Sequence, residues 1–181
     1  MQTESVSSRM SFALKEATDY YSYNEEERIA TEKLWGSSVG TRLEMWRSVQ
    51  YFLQDTPVFG VGNGNYNKAM TQYVEQGKLN ETVNRHGHPH NVFVNAIITK
   101  GLLGLFATCL VFFFPLFVYI KTFALSRYSA LTGITLVLCF FLISMNETAP
   151  FYKSNFVATF LILGLVIFQY HMTAIKNKSY G

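Results

Sequence analysis

At 181 residues with a mean hydropathy of +0.13 the chain has the length of a single domain, but the average hides two unlike halves. Residues 1–100 carry 11 acids and 10 bases, whereas 101–181 carry one acid, Glu147, and five bases, Lys121, Arg127, Lys153, Lys176 and Lys178. The net charge of +3 therefore arises between and after apolar runs, where it reads as membrane topology and gives no sign of a nucleic-acid partner.

Residues 2–35 read as soluble helix, with Asn24 as an N-cap ahead of the acids Glu25, Glu26 and Glu27, which suit a first turn and a solvated face. Gly36 to Gly40 reads as a loop. Thr41-Arg42-Leu43-Glu44 fits a capping box, and Leu43, Trp46, Val49 and Leu53 continue with helical apolar spacing. Asp55-Thr56-Pro57 ends that helix, and Gly60-x-Gly62-x-Gly64 forms a glycine-rich turn. It is not a dinucleotide fingerprint, because no strand and no βαβ unit accompany it. A helix is predicted over Tyr66 to Glu75, then a loop over Gly77 to Gly87.

Three of the four histidines stand in Arg85-His86-Gly87-His88-Pro89-His90-Asn91, where the polar half gives way to the apolar one. Pro89 suits the first turn of a helix, which puts His88 near the cap and His90 inside that turn. The helix is expected to carry Asn91, Asn95 and Thr99 as a polar stripe and to run on through Leu102–Ile120, 19 residues without charge. Gly101 and Gly104 allow close helix contact, and Pro115 marks a potential kink. Further apolar runs cover 130–145 and 156–170, slightly short against the roughly 20 residues a spanning helix needs. A soluble helical hairpin is the competing reading, but three apolar runs in about 80 residues favour the bilayer. Cys109 and Cys139 lie inside these runs and read as small buried hydrophobes.

The fold class expected is thus an all-α membrane protein, three transmembrane helices (about 90–120, 130–146 and 155–175) after a helical periplasmic loop region, 1–89, with a cytoplasmic tail at 176–181. The basic link and tail share one side, which the positive-inside rule assigns to the cytoplasm. Residues 1–90 then face outward. Met1 to Arg9 has no apolar core of a signal peptide, so the natural protein is expected to continue upstream of Met1.

A helix N-terminus at the outer membrane–water boundary attracts anions and disfavours imidazolium. His90 there becomes a candidate general base, and Arg42 and Arg47 offer paired donors for phosphate oxygens. The His86-x-His88-x-His90 spacing also admits a metal site, in an outer domain that binds metal or a partner without catalysis. Against it, Pro89 disrupts the strand that would align the rings, and no acid follows within fifty residues.

Taken in series, Arg42-x-x-x-Trp46, Pro57-x-x-Gly60-x-Gly62-x-Gly64, His90-Asn91, Lys100-Gly101-Leu102-Leu103-Gly104 opening a membrane helix, and Ser144-x-x-Glu147 after a later one resemble the O-antigen ligase and polymerase family over residues 36 to about 170. The resemblance implies a multi-pass glycosyltransferase of the bacterial inner membrane. Such an enzyme moves a glycan from undecaprenyl diphosphate to an acceptor hydroxyl, on lipid A-core, growing polysaccharide or protein, without nucleotide sugar, metal or other cofactor. It assigns Arg42 to the diphosphate and His90 to the acceptor, with Arg47, His88, Asn91 and Glu147 as substrate-binding candidates. A transporter-like relative also exists. Members carry about ten or more membrane helices, so this chain is expected to be the C-terminal portion, inactive without the N-terminal helices.

Overall fold

The computed structural model describes residues 6–124 and 127–146 and the single positions 164 and 172. The described residues are helical, without a strand: α1 (Val6–Ser22), α2 (Glu25–Ala30), α3 (Ser38–Arg47), α4 (Val49–Asp55), α5 (Tyr66–Glu75), α6 (Val92–Thr122) and α7 (Arg127–Asn146), with 3-10 turns at Glu32–Gly36 and Glu81–Arg85. The third apolar run and Glu147 lie outside the described residues.

Local chemistry explains most boundaries. The Asn24 side chain accepts the Glu27 N–H at 2.9 Å and the Glu27 carboxylate accepts the Asn24 N–H at 3.0 Å, a complete capping box. The Thr41–Glu44 box is not one. Ser37 caps α3 through Gly40 N–H at 2.8 Å, so the supposed Gly36–Gly40 loop is already helical from Ser38. α3 and α4 break at Ser48, and the buried positions are Gly40, Thr41, Glu44, Met45, Ser48 and Phe52, shifted round the helix from the apolar stripe read in the sequence.

Glu44 is fully buried, where an unpaired carboxylate would be prohibitive. Its two oxygens are saturated. One pairs with the buried Arg28 and accepts the Asn80 N–H at 2.8 Å; the other accepts the Tyr20 hydroxyl at 2.7 Å. Burial first, and then the Glu44 charge, hold the Tyr20 phenol well above its ordinary range, so it remains a donor. The Asn80 amide in turn donates to the carbonyls of Arg28, Ile29 and Thr31 at 2.8–3.0 Å. One acid thus ties α1, α2, α3 and the 78–80 segment together. Below it Met45, Phe52, Tyr66, Met70, Tyr73, Leu79, Val83 and Ile98 form the apolar core of the polar lobe.

Ile98 belongs to α6, which does not run straight. Gly101 has φ 65° and ψ −158°, a conformation essentially reserved for glycine, and the helix reverses there. Phe93 and Phe112 would be roughly 28 Å apart on an unbroken helix; their ring centroids are 5.4 Å apart. The first arm, residues 92–100, folds back beside the second, residues 102–122. The break is at Gly101 and not at Pro115, and the close contact that Gly104 permits is with Ala96 and Lys100 of the first arm.

The chain just after α4 makes this reversal affordable. In a continuous helix the carbonyls of Ile98 and Thr99 would accept from Leu102 and Leu103. Instead they accept from Val61 and Gly62, both at 2.9 Å, while Leu102 and Leu103 donate to Pro57 and Val58 at 2.8 and 3.3 Å. The 57–62 segment is a strap inserted into the helical ladder, and these four backbone groups find their partners in it. The approach is closest at two glycines. A Cβ on Gly60 (φ 64°) would stand 2.5 Å from the Ile98 carbonyl oxygen, and one on Gly101 would collide with the Val58 backbone.

α7 runs antiparallel to the second arm. Tyr119 fills the space over Gly133, Phe112 meets Phe140 and Phe141 at 5.6 and 5.7 Å, and the Asn91 amide donates to the Met145 carbonyl at 3.1 Å. One helix, Val92–Lys121, is long and apolar enough to cross a membrane by length and composition, and Ala130–Asn146 is a shorter apolar helix. Given the reversal, the spanning length resides in the second arm, roughly 31 Å at 1.5 Å per residue, against a hydrocarbon core of about 30 Å.

Two stability predictions follow from these contacts. Gly101→Ala adds both a forbidden backbone conformation and a collision, and should lower unfolding free energy by about 2–5 kcal/mol in detergent. Gly64→Ala, with φ 88° but nothing within 4 Å of the new Cβ, should lose only about 1–2 kcal/mol. Equal losses would show that the strap is not a tight insertion. Glu44→Ala strands the Arg28 charge and should lower stability by about 3–5 kcal/mol, more than the double replacement Arg28→Met with Glu44→Leu.

Candidate functional site

A hydrogen bond between distant parts of the chain holds the histidine segment against α3. The Trp46 indole N–H donates to the Pro89 carbonyl at 2.9 Å, and Pro89 is fully buried. A proline in this pocket exposes no unmet N–H, and its rigid ring fixes the residues on either side. Trp46 lies one helical turn after Arg42, on the same face of α3. Arg42 is half-buried and near enough to His86 for its charge to act on that imidazole.

His90 is not inside the first turn of α6. The N-cap is Asn91, whose side-chain oxygen accepts from Phe93 and Val94 at 2.9 and 3.1 Å. Pro89 precedes the helix by three residues instead of opening it. His90 has φ 51°, the left-handed conformation, and is the single non-glycine residue so placed among those described. Such a conformation in a histidine costs about 1–2 kcal/mol and persists because both neighbours are fixed, Pro89 by Trp46 and Asn91 by its cap.

The turn gathers the three imidazoles. His90 Nε2 faces His86 Nδ1 at 3.3 Å, with ring centroids 5.2 Å apart and planes nearly perpendicular. The His88 ring is 4.3 Å from that of His90, and its Nδ1 accepts the His90 backbone N–H at 3.4 Å. Burial first, then the charges of Arg85, His88 and Arg42, hold the His86 pKa below its usual range. His86 is thus neutral near pH 7 and able to exchange a proton across the 3.3 Å contact. Among the described residues no three His, Cys, Asp or Glu side chains converge as a metal site would require, the histidine trio included.

The other residues marked in the sequence part company. His88 joins the cluster. Arg47 turns the opposite way, toward Glu25 at 3.6 Å, in an exposed pair that contributes at most about 1 kcal/mol. Asn91 spends one end of its amide on the α6 cap and the other on Met145, so both ends serve the fold. Glu147 falls outside the described residues, although α7 ends beside Asn91. Sequence reading passed over Arg85, whose charge bears on His86, and the joint role of Trp46 and Pro89. Their sequence signals were the aromatic one turn after Arg42 and a proline flanked by histidines.

The NMR titration of the His86 ring checks this arrangement. Its midpoint should lie below the ordinary 6.5 and rise when Arg42→Gln removes a facing charge; an unmoved midpoint would put Arg42 out of reach. The stability His86 contributes is complete above pH about 6.5 and is lost as pH falls through the depressed folded value, because the unfolded chain then binds the extra proton.

Comparison with known proteins adds two findings. An uncharacterized protein of Haemophilus influenzae is 28% identical over 104 residues, which are 58% of this chain and 25% of that protein, so the match spans a quarter of its relative's length. The family model described as O-antigen ligase matches residues 10–109, more than half of the chain. This match begins within α1, well before the motifs at 36, and ends at Cys109, short of the second apolar run. It takes in the strap, the histidine turn and the Gly101 reversal, and the chain belongs to the O-antigen ligase family.

Proposed function

We propose that this chain forms the catalytic loop and adjoining membrane hairpin of a glycosyltransferase in surface polysaccharide synthesis, acting on a glycan linked to undecaprenyl diphosphate. The single observation that carries the reading is the Trp46–Pro89 hydrogen bond, which joins the helix of Arg42 to the turn of His90. Family membership supports the class of reaction.

The setting is a membrane surface. The second arm of α6 and then α7 cross the bilayer, and the polar lobe lies in the periplasm. Lys121 and Arg127, at the far end of the hairpin from the histidines, lie on the cytoplasmic side, in accord with the positive-inside rule. The reversal at Gly101 returns the histidine turn toward the bilayer, to the end of α7, which is where the head group of a polyprenyl lipid rests.

The chemistry is a displacement at the anomeric carbon. The acceptor hydroxyl oxygen forms a bond to that carbon as the bond to the diphosphate oxygen breaks. The diphosphate leaves with the electron pair, and the hydroxyl proton passes to His90. Arg42 neutralises the charge that grows on the leaving diphosphate, a task suited to a guanidinium with paired donors. His86 is held neutral at pH 7 and receives or returns the proton through the 3.3 Å contact, and His88 fixes the backbone of the turn. The strained φ of His90 is consistent with a residue held ready for chemistry.

The test is replacement at the chromosomal locus, with surface polysaccharide as readout and membrane insertion as control. His90→Ala should lower transfer by about 10²–10⁴-fold, the range for loss of a general base. Arg42→Ala should lower it by about 10–100-fold, the equivalent of losing a charged hydrogen bond. Arg47→Ala should leave transfer nearly unchanged. Normal polysaccharide in the His90→Ala strain, with the protein inserted at its usual level, would end the proposal.

A further inference from the structure

A groove between α1 and the first 3-10 turn takes no part in the histidine chemistry. Phe12, Glu16, Asp19, Tyr20 and Tyr23 recur at helical spacing and so share one face of α1. That face looks across a cavity of about 250 Å³ to Lys33, Leu34 and Ser37, at the 3-10 turn and the start of α3. Phe12 and Tyr23 lie at either end of the face, roughly 16 Å apart at 1.5 Å per residue. Phe12 is 63% exposed although it lines the cavity, and Tyr23 is half-buried. Two carboxylates stand between the rings. Glu16 accepts the Val39 N–H at 3.2 Å, which ties it to α3. Asp19 is exposed, and its carboxylate forms no ion pair among the described residues, although Lys15 and Lys33 line the same cavity. Two acids and two ammonium groups leave the lining without net charge.

We infer that this groove binds an uncharged sugar ring of a glycan chain. A sugar ring has apolar C–H faces and a rim of hydroxyls. The exposed Phe12 ring offers a surface for the first, and the Asp19 carboxylate, which only accepts, takes hydrogen bonds from the second. A charged ligand gains little from a lining whose own charges cancel. The volume lies just under the roughly 300–1,000 Å³ of sites for drug-sized ligands, which leaves room for a single ring. Position sets the role. Glu44 meets Tyr20 on the groove side of α3, and Arg42, two residues earlier, is about 200° away round the helix. The groove and the histidine turn therefore lie on different sides of α3, so the sugar held here is not the one that reacts. It is a unit farther along the chain, whose binding energy orients the reacting end. That the glycan belongs to a surface polysaccharide rests on the function proposed above. The family match begins at residue 10, so this face of α1 lies inside it.

Saturation-transfer NMR on the full chain in phosphatidylethanolamine–phosphatidylglycerol nanodiscs, free of sugar-based detergent, tests this. The probes are methyl glucoside, methyl N-acetylglucosaminide and methyl glucuronide, with empty nanodiscs as the blank. The two neutral glycosides should receive saturation above the blank. Asp19→Asn should weaken their binding about 10-fold, as for loss of a hydrogen bond to a charged group, and Phe12→Ala about 5-fold. Both side chains are exposed, so neither variant disturbs the core. No saturation above the blank, unchanged binding in both variants, or binding of the glucuronide alone would overturn the site. His90→Ala should bind the glycosides as the unaltered chain does. Loss of binding in His90→Ala, with Phe12→Ala and Asp19→Asn unaffected, would move the sugar to the histidine turn and overturn the groove while leaving the glycosyltransferase reading intact.

Discussion

The exchange of backbone hydrogen bonds between the strap and α6 is the constraint on which the rest depends. A helix that reverses direction must leave carbonyls and amides without partners, and four of them in an apolar setting would be prohibitive. The 57–62 segment supplies two donors and two acceptors at the positions where the helix lost them. The reversal is therefore possible only while α4 and the strap remain docked, and α4 stays docked only while the lobe is folded. Lobe and hairpin are one cooperative object.

The consequences reach the histidines in both directions along the chain. From the α6 side, the reversal brings Asn91 to the end of α7, where its amide closes the hairpin. From the lobe side, Glu44 and its partners fix the attitude of α3, so that Trp46 points at Pro89. His90 sits between these two fixed neighbours in a backbone conformation that neither a free loop nor a regular helix would select. A residue so over-determined holds its ring in one place, which is what a group acting on a reacting atom needs.

Electrostatics and hydrophobicity divide the molecule cleanly. The cationic side chains that bear on the histidines, Arg42 and Arg85, come from the lobe and disfavour protonation of His86 while favouring an anion nearby. The second arm and α7 contribute apolar surface that suits acyl chains. The substrate proposed above, an anionic head joined to a long hydrocarbon tail, would use both parts of this division.

The sequence by itself determined those elements that local chemistry closes: the Asn24 cap, the α5 bounds, the apolar length of a helix able to cross a membrane, and the order of motifs that marks the family. It also singled out Arg42, His88 and His90, since the residue types carry their chemistry with them. What it did not determine were features whose partners lie far along the chain. Glu44 looked like a capping residue because its spacing from Thr41 is local, while Arg28, Tyr20 and Asn80 are not. Arg47 resembled Arg42 in composition, and only the rotation of α3 turned one toward the histidines and the other toward Glu25. Gly60 and Gly101 each read as an ordinary turn or helix-contact glycine; together they are the crossing point of strap and helix. Tertiary structure decided that reversal because its stability comes from hydrogen bonds exchanged between segments about forty residues apart, and no periodicity within either segment encodes the exchange.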